Sequence, residues 1–390
     1  MVRTPIYFDN NATTRTDPRV VEAMLPYFTE FFGNAASTTH AFGRKARQAV
    51  EQARAAFAKG IGAATPSEIV FTSGATESDN LAIKGAAYAY REKGDHLITC
   101  LTEHKAVLDT CKHLEHEGFA VTYLKPQPDG LIGLEELEQA MTDRTILVSI
   151  MHANNEIGVL QDIGAIGKLC QEKGVLFHSD AAQSLGKVPF DAQALHVDLA
   201  SFTAHKIYGP KNAGALYVRK SDPAVNLALQ MHGGGHEGGM RSGTLNVPGI
   251  VGLATALELC LQEIDWERDR LERMCRRLLE GLKAALPGIC LNGHPTRRAP
   301  GNLSLCFPGL DAGSLMLGLN DVAVSAGSAC NTGSAAPSYV LKAIGMSDEA
   351  ARSTLRFGLG RFNTEAEVEQ VIARFAEYAR RAPVRLTKAG

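Results

Sequence analysis

Aromatic residues are scarce in this sequence, 6% of the chain with one tryptophan, and so is charge imbalance: 40 Lys and Arg stand against 42 Asp and Glu, a net charge of -2. Such a balance gives no electrostatic footprint for direct nucleic-acid binding or for a membrane surface. No apolar run reaches the ~18 residues that suggest a membrane span. The opening MVRTPIYFDNNATT has no long apolar core, so it does not read as a secretory leader. Eight cysteines are present, but no two stand as CxxC, which argues against zinc-ribbon and thioredoxin chemistry. Eight thiols in 390 residues make no disulfide scaffold, and the expected compartment is reducing and cytoplasmic. There is no internal repeat and no low-complexity tract.

What is there reads as an α/β protein. Short apolar runs end at Thr72 (EIVFT) and Cys100 (HLITC), then recur at 145–151, 175–180, 199–203 and 214–218. Amphipathic stretches such as LEELEQAMTD and IGAIGKLCQEKG lie between them. That alternation implies a mostly parallel sheet flanked by helices. Ligands of such sheets gather outside the carboxyl ends of the strands. A long helical pattern from about residue 250 bridges into a second region of mixed strands and helices.

Five strand ends carry polar groups fit for one ligand. Lys206, in SFTAHKIYGPK, follows a strand; it is either an ordinary surface lysine or an amine that binds a carbonyl cofactor covalently. Asp180, in VLFHSDAAQS, closes the preceding strand; it is either a helix cap or the acid that keeps a pyridine nitrogen protonated. Pyridoxal 5'-phosphate needs that pair. In IVFTSGATESDN, the amides around Ala75 and Thr76 open a helix, where a phosphate dianion fits. His104 follows HLITC and can cap a helix, or stack on a ring and move protons. Asn154 and Asn155 follow another strand, as turn residues or as binders of a carboxylate or ring hydroxyl.

Along nearly its whole length the chain closely resembles the cysteine desulfurases of the IscS/NifS group, fold-type I pyridoxal phosphate enzymes. The resemblance rests on YFDNNATT, EIVFTSGATESDNLAIKGA, TEHKAVLDTC, ILVSIMHANNEIGV, HSDAAQS, HKIYGPK, HGGGHEGGMRSGT, SAGSAC and LRFGLGRF, in that order. It implies conversion of L-cysteine to L-alanine, with the sulfur left as a persulfide on the enzyme for iron–sulfur cluster assembly or tRNA thiolation. It implies that Lys206 binds the cofactor, Asp180 faces the pyridine nitrogen and Gln183 the ring hydroxyl. His104 stacks on the ring and takes the proton of the catalytic thiol. Ala75, Thr76, Thr203 and His205 surround the phosphate; position 203 is more often serine in the family, and threonine keeps the hydroxyl. Thr244 matches a residue that reaches the neighbouring subunit's phosphate, implying a homodimer. Asn155 and Arg356 match the groups that hold the substrate carboxylate, a task suited to a guanidinium. Cys330 matches the catalytic cysteine, on an extended mobile loop of about 323–338.

The expected division is a large cofactor-binding domain at 16–259, with 1–15 and 260–390 forming a smaller α+β domain that carries the Cys330 loop. No intrinsic metal is expected, although Cys330 is placed to ligate an iron–sulfur cluster transiently with a partner. The chain stops at RAPVRLTKAG. Many relatives continue into an extension that docks the iron–sulfur scaffold protein, so that docking mode is in question here. A selenocysteine lyase or another lyase of the same fold is the alternative activity. An idle sulfur carrier is disfavoured, because it would need neither Lys206 nor Asp180.

Overall fold

The computed structural model describes residues 2, 4–221, 223–326 and 336–381. Cys330 and most of the loop expected at 323–338 lie outside the described residues. The strands are β1 (Ile6–Tyr7), β2 (Ile69–Thr72), β3 (His96–Cys100), β4 (Ala120–Leu124), β5 (Thr145–Ser149), β6 (Leu176–Asp180), β7 (Leu199–Thr203), β8 (Gly214–Val218), β9 (Cys290–Leu291), β10 (Asn302–Cys306), β11 (Val322–Ala323), β12 (Ser325–Ala326) and β13 (Thr354–Gly358).

Seven of them make one sheet in the order β2-β8-β7-β6-β5-β3-β4. The pairings from β7 to β4 are parallel; β8 is antiparallel to both β7 and β2. All residues of β2, β3, β5, β7 and β8 are buried, as in a sheet covered on both faces. The strand period of two sorts their side chains. Leu97, Leu147, Leu199 and Leu216 join a core with the helices Ala75–Ala89 and Lys105–His116. Ile98, Val148, Ala200 and Tyr217 join another with the helices Ala41–Gly60 and Ile163–Lys173. Strand β4 is absent from the sequence-based reading, because AVTYL is an edge strand with exposed or half-buried residues up to Leu124.

A second core gathers Ile6, Phe8, Leu303, Leu305, Phe307, Leu355, Phe357 and Phe375 around the antiparallel sheet β12-β13-β10-β9 and the helix Glu365–Arg381. One helix, Val247–Ala285, serves both cores: Leu253 and Leu257 pack in the first, Leu271 and Leu278 in the second. It starts on Pro248 in its first turn, with the Asn246 side chain accepting from Gly249 N. An 18-residue window of it reaches a mean hydropathy of 1.4, long and apolar enough for a span, and half of that window is buried against the rest of the chain.

Because β3, β5, β6 and β7 are parallel and β2 runs with β7, the segments after all five emerge at one sheet edge. These segments bear Ala75 and Thr76, His104, Asn155, Gln183 and Lys206. A cavity of about 1140 Å3 lies at the opposite edge, lined in part by Thr145, Leu176, Asp198 and Tyr217, and holds none of those groups.

Candidate active site

Lys206 ends a single 3-10 turn, Ala204–Lys206, directly after β7. Its Nζ donates to the carbonyls of Asn11 at 2.5 Å and Ala12 at 2.7 Å. The same N-terminal segment ties down the whole turn. Thr14 N donates to His205 O at 2.8 Å, Thr14 Oγ1 accepts from Tyr208 N at 2.8 Å, and Thr13 Oγ1 lies 3.1 Å from His205 Nδ1. Gln183 Nε2 donates to Asn11 O at 2.8 Å. The segment 9–14 therefore laces together residues nearly two hundred positions away.

Asp180 is buried at the end of β6, where its Oδ1 accepts from Ala182 N at 2.9 Å. Two more buried carboxyls stand near it. Glu103 Oε1 accepts from Met151 N at 2.7 Å, and Asp79 Oδ1 is 3.6 Å from His178 Nε2, too far for a hydrogen bond. Loss of water, followed by repulsion from Asp180, holds Asp79 well above the usual carboxylate range. Burial does the same for Glu103. Asp180 is also raised by burial, but His104 and Lys206 favour its ionised form. Of the three, Asp180 is the one placed to carry negative charge. His178 beneath it is neutral: burial drives its pKa down to about 3, and its ring nitrogens lie 2.8 Å from Ser149 Oγ and 3.0 Å from Ser201 Oγ.

His104 caps the helix Lys105–His116, its Nδ1 accepting from Ala106 N at 3.2 Å. With Nδ1 so occupied, the neutral ring carries its proton on Nε2. Burial lowers its pKa while Asp180 raises it. In this tautomer the ring is a donor at Nε2. For the ring to take up the thiol proton at Nδ1, the Ala106 bond gives way.

The helix Ala75–Ala89 begins on Gly74, which has φ of 153° and no side chain to cap the first amides. Ala75 is half-buried and Thr76 exposed at this end. Gly74 sits directly on β8: a Cβ at Gly214 would lie 2.5 Å from Gly74 Cα. Thr203 Oγ1 comes within 3.5 Å of where a Gly74 Cβ would project. His205 beside it is neutral, burial bringing its pKa to about 4 with help from Lys206, Lys211 and Lys187. Lys187 Nζ donates to Gln183 Oε1 at 3.2 Å, and burial lowers that amine to about 8.

Arg356 is buried on β13. Its Nη1 donates to Asn155 O at 3.0 Å and its Nη2 to Asp9 Oδ1 at 2.9 Å, an ion pair. Asn155 thus meets Arg356 through its backbone. Asn155 Oδ1, Asn11 Oδ1 and Arg356 Nε are buried with no hydrogen-bond partner among the described residues. Thr244 is exposed, on a Gly-rich segment anchored by Arg54–Glu237 at 2.7 Å and Arg241–Glu77 at 2.9 Å. Asp9, Asn11, Thr13, Asp79, Glu103 and Lys187 complete the site, and sequence reasoning assigned none of them a role; the polar run DNNATT was the local signal for the first three.

These groups fit pyridoxal phosphate. The uncapped helix end beside Thr203 and His205 suits a phosphate. Asp180 is a buried carboxyl near the Lys206 amine, which favours its ionised form, as a pyridinium partner requires. Asn155 Oδ1 and Arg356 Nε, both without a hydrogen-bond partner among the described residues, are groups that a polar ligand would satisfy. Comparison with known proteins agrees. The family model for class-V aminotransferases matches residues 6–371. The cysteine desulfurase IscS of Anaeromyxobacter dehalogenans (strain 2CP-C) is 56% identical over 380 residues, 97% of this chain and 94% of that protein. A solved NifS-like protein superposes with a TM-score of 0.89 at 40% identity, covering 96% of this chain and 98% of its own. A structure described as SspA in complex with cysteine superposes with a TM-score of 0.82 at 39% identity, covering 92% and 100%. The chain belongs to the class-V aminotransferase family and, within it, to the pyridoxal phosphate-dependent cysteine desulfurases.

Proposed function

We propose that the enzyme converts L-cysteine to L-alanine and passes the sulfur, as a persulfide on Cys330, to an iron–sulfur scaffold or another acceptor, tRNA thiolation included. The observation that carries this reading is the convergence of Lys206, Asp180 and His104 on one sheet edge with Arg356 beside them. In this reading Arg356 and Asn155 hold the substrate carboxylate. The cofactor, when bound, supplies an electron sink. Lys206 Nζ removes the Cα proton, and Asn11 O and Ala12 O, its present partners, mark where the protonated amine rests. Asp180 keeps its negative charge against the ring nitrogen, and Gln183 lies toward the ring hydroxyl. Ala75, Thr76, Thr203 and His205 receive the phosphate. The Cys330 thiolate attacks the substrate sulfur: an S–S bond forms, the C–S bond breaks, and its electron pair stays on Cβ, which is protonated; Lys206 returns the proton to Cα, and alanine leaves. His104 takes the proton of the Cys330 thiol, its Nδ1 exchanging the Ala106 bond for it, and donates from Nε2.

We further propose a cytoplasmic homodimer in which Thr244 reaches the neighbouring phosphate site. Its large domain is 16–259; 1–15 and 260–390 form the smaller one. The boundary falls within the unbroken helix Val247–Ala285, which would make that helix a stiff link. Incubation of the purified holoenzyme with L-cysteine tests the activity. Stoichiometric alanine and sulfane sulfur support it. Alanine without sulfane sulfur, or a stronger preference for selenocysteine, overturns it.

A further inference from the structure

We propose that Cys290 and Cys306 form a thiol–disulfide site at the edge of the smaller sheet, one that exchanges with low-molecular-weight disulfides of the glutathione class.

The two residues face each other directly across the antiparallel pair β9–β10, in register Cys306↔Cys290. Directly opposed residues of an antiparallel pair point to the same face. Beyond the pair Leu291 and Leu305, two positions along from the cysteines, Asn292 and Ser304 are bonded through Asn292 N to Ser304 O at 2.9 Å. Bonded and non-bonded pairs alternate, so Cys290 and Cys306 again form a bonded-type pair, with Cα atoms about 5.5 Å apart. That separation lies inside the range of about 4.4–6.8 Å that a disulfide spans. Both are free thiols. Their present contacts are weak ones, Cys290 Sγ to Gly288 O at 3.4 Å and Cys306 Sγ to Ala350 O at 3.5 Å, and joining the two sulfurs takes side-chain rotation together with a small closing of the two-residue edge strand β9 onto β10.

The two thiols divide the chemistry. Cys290 is exposed, on a two-residue edge strand, whereas Cys306 is 5% exposed. Burial raises the Cys306 thiol, and Cys290 lies near enough to raise it further. Among the described residues Cys290 is the exposed cysteine and the other six are buried. An incoming small disulfide therefore meets Cys290 first. The Cys290 thiolate, its proton lost to water, attacks one sulfur of the small disulfide. A mixed disulfide forms, and one small thiolate leaves and takes up a proton. Cys306 then attacks the Cys290 sulfur, and the second small thiolate leaves with the Cys306 proton. Two protein thiols are oxidised by two electrons and one small disulfide is reduced to two thiols. The row Cys290–Cys306–Thr354 lies beside the row Ser304–Arg356 on one sheet face, so the site borders the strand that carries the buried arginine.

The test treats full-length holoenzyme with oxidised glutathione, alkylates the remaining thiols and maps peptides by mass. The expected product links the Cys290 and Cys306 peptides with loss of two hydrogen atoms and is reversed by dithiothreitol. Cys306→Ser is expected to trap glutathione on Cys290, and Cys290→Ser to leave Cys306 unmodified. Wild-type protein that retains glutathione on Cys290 beside an alkylatable Cys306 overturns the proposal. So does wild-type protein in which Cys290 stays a thiol, or Cys290→Ser protein with glutathione on Cys306.

Discussion

Arg356 Nη2 and Asp9 Oδ1 lie 2.9 Å apart, and Ser325 Oγ donates to that same oxygen at 2.9 Å. Arg356 comes from β13, Ser325 from β12 beside it, and Asp9 from the N-terminal segment that also receives Lys206 and Gln183. The guanidinium proposed to bind the substrate carboxylate is held by a carboxylate of its own, and its Nε is left unpartnered. Asp9 therefore fixes the arginine's orientation before any ligand arrives.

Replacing Arg356 by Lys keeps the charge and loses the fork. KM for L-cysteine is expected to rise about tenfold or more, equivalent to ~1.4 kcal/mol, with cofactor absorbance unchanged. Steady-state kinetics with a spectrum of the variant check both.

Asp9→Asn leaves a buried guanidinium without its counter-charge. Breaking a buried pair costs roughly 3–5 kcal/mol, and the partial exposure of Asp9 puts this case at the low end or below. Urea unfolding is expected to show a lower midpoint for Asp9→Asn, with Ser325→Ala far milder.

Gly214→Ala places a methyl 2.5 Å from Gly74 Cα, in the turn that opens the helix Ala75–Ala89. Backbone on both sides leaves no flexible atom to yield. The variant is expected to fold yet release pyridoxal phosphate at least about tenfold more readily, a loss of ~1.4 kcal/mol, on dialysis followed by absorbance.

Glu156 is buried next to Asn155 and accepts from Ser338 Oγ at 2.5 Å; burial raises its pKa to about 7. The folded state holds this proton between about pH 4.5 and 7, where the unfolded chain has lost it, so its contribution to stability is full below pH 4.5 and falls away as pH rises to 7. Glu156→Gln removes that dependence. Relative to wild type, the variant is expected to gain on the order of 3 kcal/mol between pH 4.5 and 7.5 in denaturant titrations. Parallel pH curves for the two proteins contradict the assignment.

The sequence made the strand-end residues legible because each of them, Asp180 and Lys206 above all, sits within a few positions of an apolar run whose end is easy to mark. It did not make Asp9 or Asn11 legible. Their partners Arg356, Lys206 and Gln183 lie 172 to 347 residues away, and no local pattern encodes contacts of that range. The antiparallel direction of β8 was hidden for another reason: GALYV is as uniformly buried as the parallel strands of the sheet, so periodicity carries no direction. The proton on His104 Nε2 follows from a backbone contact at Ala106, which a residue list cannot supply.

The central claim is that Cys330 takes sulfur from a substrate held by Lys206, Asp180 and Arg356. Mass spectrometry of the holoenzyme after a single turnover with L-cysteine tests it most directly. The expected result is one added sulfur atom, mapped to Cys330, with one alanine released per site, and neither product from Cys330→Ser. Alanine released at the wild-type rate by Cys330→Ser, or the added sulfur mapped to another cysteine, would contradict it.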